Sequence, residues 1–171
     1  MKIRCLGVLV CLLAAGSLFA AGNANLQPLV GAWNCTGIAF ANDMGPEHPT
    51  KAQVRTAWIL GDRWLQVWYK ETKTAKNPHP VEAEMVMTYD EGKKRVESGC
   101  LDNMGGYCTE ESGDPIWDGD KMTLTGQGRF GGMDVKVRDT FTKGKGWIKH
   151  MGEFQPANGN WIKLDEETCK K

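Results

Sequence analysis

The residues of this 171-residue chain that could do chemistry are three histidines, the cysteines and a scatter of aspartates. His150 lies in GWIKHMGEF and shares a face with Ile148 and Phe154 if that segment is a strand. An inward imidazole there could ligate iron, or could simply be a hydrogen-bonded structural group. His48 and His79 each precede a proline, in EHPT and PHPV, and read as loop residues and not as a metal pair. Asp114, Asp118 and Asp120 in GDPIWDGDK lack the full acidic loop and closing Glu of a calcium site, and turn chemistry explains Asp118-Gly119. No G-x-S-x-G, H-E-x-x-H or phosphate-cradling glycine loop is present, and the glycines of GQGRFGG do not lead into a helix. No residue nominates itself as nucleophile or base, so the chain reads as a binding protein before an enzyme.

The N-terminus says where that binding would occur. MKIRCLGVLVCLLAAGSLFAAGNAN has a basic start, a short apolar run and small residues before Asn25, the order of a secretory signal peptide. The run is short for a membrane span, which needs ~20 residues. Cleavage after Ala24 leaves one domain, residues 25–171, in a periplasmic or secreted setting, with no membrane span in the mature chain. Loss of Lys2 and Arg4 takes the basic count from 21 to 19 against 21 acidic residues. A near-neutral chain without a basic block argues against nucleic acid as a partner. Oligomeric state is not legible.

Export leaves Cys35, Cys100, Cys108 and Cys169, an even number in an oxidising compartment. Three pairings are possible; the favoured one is a local Cys100–Cys108 clasp with an end-to-end Cys35–Cys169 bond. No C-x-x-C pair supports zinc. Asn34-Cys35-Thr36 matches a glycosylation sequon that a disulfide at Cys35 would obstruct.

The elements that must position these residues are almost all strands. In VEAEMVMTY, Val81, Ala83, Met85, Met87 and Tyr89 share one face, with Glu82, Glu84 and Thr88 opposite. The alternation predicts ten strands, at 32–40, 51–60, 63–70, 81–90, 94–100, 106–111, 121–130, 133–143, 146–155 and 160–169. Leu26 to Val30 could form one helical turn. Gly61-Asp62, Glu91-Gly92-Lys93 and Lys143-Gly144-Lys145-Gly146 read as tight turns. The links at 41–50 and 71–80 are longer and carry Pro46, Pro49, Pro78 and Pro80. In an up-and-down meander both fall at one end, which suggests a container with a mouth. So many strands need an edge solution, and closure brings the first strand against the last. Cys35 and Cys169 then become neighbours.

Gly31-Ala32-Trp33 near the start resembles the Gly-x-Trp signature of lipocalin-like (calycin) barrels. LVGAWNCTG, AWILGDRWLQVWY, MTYDEGKK, WDGDKMTLTGQG, VRDTFT and LDEETC together resemble the bacterial exported domain-of-unknown-function family 1579. The resemblance implies an all-β, single up-and-down barrel of about ten antiparallel strands. It also implies a Trp33 that plugs the closed end beneath a basic residue from a late strand, for which Arg138 is the candidate. It implies no settled activity.

The expected function is an exported binding or carrier barrel for a small apolar molecule. The candidate ligand-binding residues are Met85, Met87, Tyr89, Trp64, Trp68, Phe141 and His150. Met suits irregular apolar ligands, and aromatic walls are common in pockets. Trp64 and Trp68 share one strand face while Leu65, Val67 and Tyr69 share the other, so one set must point outward. No cofactor is required. The alternatives are a haem-binding barrel, similar to nitrobindin-like barrels, that uses His150, and a non-enzymatic protein-interaction module.

Overall fold

The structure, a computed structural model, describes residues 24–43 and 45–171. The signal peptide expected over 1–24 lies, Ala24 apart, outside the described residues. The strands are β1 (Gly31–Ala39), β2 (His48–Ile59), β3 (Trp64–Glu71), β4 (Glu82–Asp90), β5 (Arg95–Asp102), β6 (Tyr107–Ser112), β7 (Lys121–Phe130), β8 (Met133–Gly144), β9 (Trp147–Pro156) and β10 (Ile162–Lys170). Each pairs antiparallel with its sequence neighbours, and β1 closes on β10. The protein is therefore a closed ten-stranded up-and-down barrel, as the alternation and turn spacing predict. Closure leaves no free edge.

Most strand ends differ from the sequence expectation by one or two residues, and the largest difference is at the start of β2. β2 starts at His48, so the first long link spans only 40–47. Residues 48–50 pair with β1 alone, while the β2–β3 register begins at Ala52. Pro49 lacks an N–H, and a strand segment with one unpaired side tolerates it.

The chain enters the barrel through a 3-10 turn, Gln27–Leu29, whose flanking Leu26 and own Leu29 are buried. They seal this entry end together with Trp33, Leu65, Met87, Val96, Met122, Leu124 and Ile148. Ile116 and Trp117, from the 113–120 link, fold onto the same cluster, and Trp117 Nε1 donates to Asn25 O at 2.7 Å. Trp33 Nε1 donates to Leu29 O at 3.0 Å, and the Thr56 hydroxyl donates to the same carbonyl. The cation over Trp33 is Lys171, 4.6 Å from the ring centroid. A Cβ on Gly31 would lie 2.9 Å from Lys171 Cε, so the glycine of Gly-x-Trp makes room for that lysine. Arg138 is not the partner. It stands on the outer face of β8, paired with Glu153 at 2.7 Å and 4.3 Å over Trp161.

A smaller apolar cluster of Cys108, Val135, Val137 and Phe154 closes part of the far end. The curvature is supported by two inward glycines: a Cβ would fall 1.8 Å from Thr109 O at Gly126 and 1.9 Å from Glu166 O at Gly37. Cys35 is bonded to Cys169 across the β1–β10 seam, and Cys100 to Cys108 across β5–β6. Among the described residues no helix is long and apolar enough to cross a membrane.

Candidate functional site

Between the two apolar clusters the barrel holds a layer of titratable side chains. His150 projects inward from the middle of β9, opposite Phe141 on β8 and Glu167 on β10. Its Nδ1 faces Asp165 Oδ2 and its Nε2 faces Asp139 Oδ1, each at 3.1 Å. Both nitrogens can donate only if the ring is an imidazolium. Burial opposes that charge, but Asp165 and Asp139 outweigh it and hold the His150 pKa well above its ordinary 6.5. The Phe141 ring lies tilted beside the imidazole, centroids 5.0 Å apart.

The local chain explains how the two aspartates converge. A bulge between Lys163 and Asp165 shifts the β10 register. Leu164 therefore packs on the inner cluster while Asp165, the next residue, also faces in. Gly152 sits between the carboxylates. A Cβ there would lie 2.5 Å from Asp165 Oδ1 and 3.4 Å from Asp139 Oδ1. Gly152→Ala is expected to push Asp165 off the imidazole and destabilise the fold by ~1–3 kcal/mol, the range for overpacking. Urea titration of the variant checks this, and an unchanged midpoint would refute it.

Glu110 enters the layer from β6 with 4% of its surface exposed. Ser98 Oγ reaches its Oε2 at 3.5 Å, and the Glu110 carboxyl lies within hydrogen-bond reach of Asp139, to which it can donate once protonated. Burial, and then the charge of Asp139, push its pKa up to about 9, so it is a neutral acid at pH 7. Glu167 is almost fully buried and accepts the Tyr69 hydroxyl at 3.1 Å. Burial raises its pKa, and burial followed by Glu167 raises that of Tyr69, which stays a protonated donor. Nearer the far end, Glu71 accepts Asn77 Nδ2 at 2.7 Å and Val81 N at 2.8 Å, tying the 72–81 link to the barrel wall.

These shifts have a sign. A group whose folded pKa lies above its unfolded value stabilises fully below the unfolded value and loses that contribution as pH rises through the folded one. For Glu110 the window runs from about 4.5 to about 9; for His150 it opens at about 6.5. Stability is expected to fall as pH rises from about 5 to 9, by up to ~1.4 kcal/mol per pH unit for each group. Glu110→Gln should flatten the curve. Urea midpoints at pH 5, 7 and 9 test this, and a curve that rises with pH in both proteins would refute it.

The layer is not filled. The side chains of His150, Asp139 and Asp165 keep 26%, 18% and 23% of their surface exposed although they point inward. Val54, Val67, Met85 and Phe141, also inward, are only partly buried. Surface on inward side chains opens onto the lumen. Met85, Met87, Tyr89, Phe141 and His150 thus face inside, Met87 as a fully buried part of the floor. Trp64 and Trp68 do not. The fully buried Leu65 fixes the odd positions of β3 as the inner face, which leaves Trp68 outside between Arg55 and Lys70, 6.0 and 5.9 Å from its ring. Asp139, Asp165, Glu110, Glu167 and Tyr69 are site residues that the sequence reading did not nominate. Their signal was a carboxylate on an otherwise apolar strand face, such as Glu110 between Cys108 and Ser112.

Metal and haem fit poorly. Cys35, Cys169 and Glu167 bring their ligand atoms within 4.8 Å of one another, but the two sulfurs are bonded together and offer no thiolate. His150 has both nitrogens committed to carboxylates, and an imidazolium has no lone pair for iron.

A family model described as "Protein of unknown function (DUF1579)" matches residues 21–170. The chain belongs to the DUF1579 family. No curated protein matches this DUF1579 chain. Its fold is similar to a solved structure titled "Crystal Structure of Rv2717c from M. tuberculosis", with a TM-score of 0.66 and 13% identity over 86% of this chain and 96% of that one. At that identity the likeness establishes the barrel of this DUF1579 protein and nothing about its ligand.

Proposed function

We propose that this DUF1579 barrel is an exported binding or carrier protein that holds a small, mainly apolar molecule in its lumen. The observation that carries the reading is the accessible surface left on inward side chains at the His150 level. Val54, Val67, Met85 and Phe141 supply an apolar wall, and the entry end is sealed beneath them. Two disulfides and the leader-like N-terminus support export. Native mass spectrometry of the protein from the exported fraction, without reductant, tests the proposal. A discrete added mass is expected, lost on denaturation and absent from a Met85→Trp variant that fills the lumen. An adduct that persists in that variant would overturn it.

A second reading has its own observation. Leu101, Met104 and Tyr107 are exposed together around the 103–106 turn, where Asn103 Nδ2 donates to Pro80 O of the neighbouring loop. Such a patch suits contact with another protein.

A further inference from the structure

We propose that the outer face of β5 and β6, beside the 103–106 turn, is a dimer interface whose partner is a second copy of this chain. The twofold axis passes between Leu101 and Tyr107. The proposal rests on the second reading above and names its partner.

Strand register lays out the face. Met87, Val96 and Cys108 are buried inside, so the alternate residues of β4, β5 and β6 point outward. One rung runs from β3 to β7 through Trp68, Glu84, Leu101, Tyr107 and Arg129. The rung beside it runs through Val86, Gly99, Thr109 and Gln127. Between Glu84 and Arg129 neither rung carries a charge. The next rung holds Glu97 and Glu111, which pair with Lys93 and Arg95. An uncharged centre with exposed Leu101, Met104 and Tyr107, inside a charged border, has the composition of an interface core and its rim. The turn that presents Met104 is held in place. Asp102 Oδ1 accepts from Met104 N at 2.8 Å and from Gly106 N at 2.9 Å, and Asn103 bonds to Pro80 O and Glu82 N. A preorganised turn loses little entropy on binding.

The charge pattern selects a second copy. Glu84 lies one strand beyond Leu101, and Arg129 lies one strand beyond Tyr107 on the other side. A twofold axis between Leu101 and Tyr107 sets Leu101 against the partner's Tyr107 and Glu84 against the partner's Arg129, and repeats both contacts in reverse. The same axis lays Met104 over the partner's Gly99 and Thr109. Gly99 supplies an independent observation. A Cβ there would meet nothing nearer than Cys108 O at 3.8 Å, and its φ is not positive, so nothing within the chain calls for glycine. The absent side chain leaves a recess beside Thr109 that an adaptable Met side chain fills.

The first test is sedimentation equilibrium on the exported, disulfide-intact protein at low salt. A reversible monomer–dimer equilibrium is expected, with Kd on the order of 100 µM or tighter, as suits a small interface. Glu84→Arg and Arg129→Glu each set like charges against each other and should each weaken the dimer at least about tenfold. The double variant reverses both pairs and should return Kd to within about threefold of the wild-type value. Both positions are exposed, and near-UV circular dichroism verifies that each variant is folded. A protein that stays monomeric up to about 1 mM, or a double variant no tighter than the single ones, would overturn the proposal. Photocrosslinking in the producing cell, with benzoylphenylalanine in place of Tyr107, separates the proposal from the reading beneath it. An adduct of twice the chain mass is expected. Adducts of other masses alone would overturn the second copy and leave the contact reading standing, and no adduct would overturn both.

Discussion

Replacing Cys35 and Cys169 together by Ala is expected to remove ~5 kcal/mol of stability, the chain-entropy value for a cross-link spanning 134 residues. The same change at Cys100 and Cys108, which are 8 residues apart, should remove only ~2.5 kcal/mol. Whole domains have ~5–15 kcal/mol to lose, so the first variant should sit near its unfolding threshold at 37 °C and the second should not. The location adds to the effect. Cys35 and Cys169 are directly opposed in the β1–β10 ladder, the one seam that joins elements far apart in sequence. Without the bond, closure must be recovered against nearly the full chain entropy. Urea denaturation of both double variants decides the matter. If loss of the local bond proves the more harmful, the seam is not what holds the barrel closed.

The second large effect is at His150. His150→Leu leaves Asp139 and Asp165 facing each other across Gly152 with no positive charge between them. Breaking a buried ion pair from one side costs ~3–5 kcal/mol, and because these groups keep some contact with solvent the expected loss is about 3 kcal/mol at pH 6. The sign follows from the raised histidine pKa. The imidazolium stabilises most below about pH 6.5 and less as pH rises through its folded value, so wild type and variant should converge at alkaline pH. Adding Asp139→Asn and Asp165→Asn to His150→Leu should recover part of the loss, because neutral amides carry no unpaired charge. If the triple variant is less stable than His150→Leu, the triad is held by packing and not by charge.

The strands and turns were legible because period-two alternation and turn residues are local signals. VEAEMVMTY states its own two faces, and Gly61, Asp62, Gly92 and Gly146 mark where the chain reverses. Alternation does not say which face is the inside. Trp64 and Trp68 were nominated as pocket residues, yet their face is the outer one, because Leu65 on the opposite face is buried in the floor of the barrel. The same limit hid Arg138, which pairs outward with Glu153, while Lys171 at the chain end takes the place over Trp33.

The amino-acid sequence by itself determined a closed antiparallel barrel, an entry strand built on Gly31 and Trp33, and cysteines placed to clasp it. Each follows from spacing within one segment, or from the rule that a meander of strands must deal with its edges. Only the tertiary structure decided what the lumen contains. Glu110, Asp139, His150 and Asp165 come from four strands, and a bulge at Leu164 turns Asp165 inward against the simple alternation. No local pattern encodes their meeting, because it depends on strand register around the whole barrel. What makes the meeting consequential is burial, which turns ordinary carboxylates and an ordinary histidine into a layer that shares protons and carries unbalanced charge.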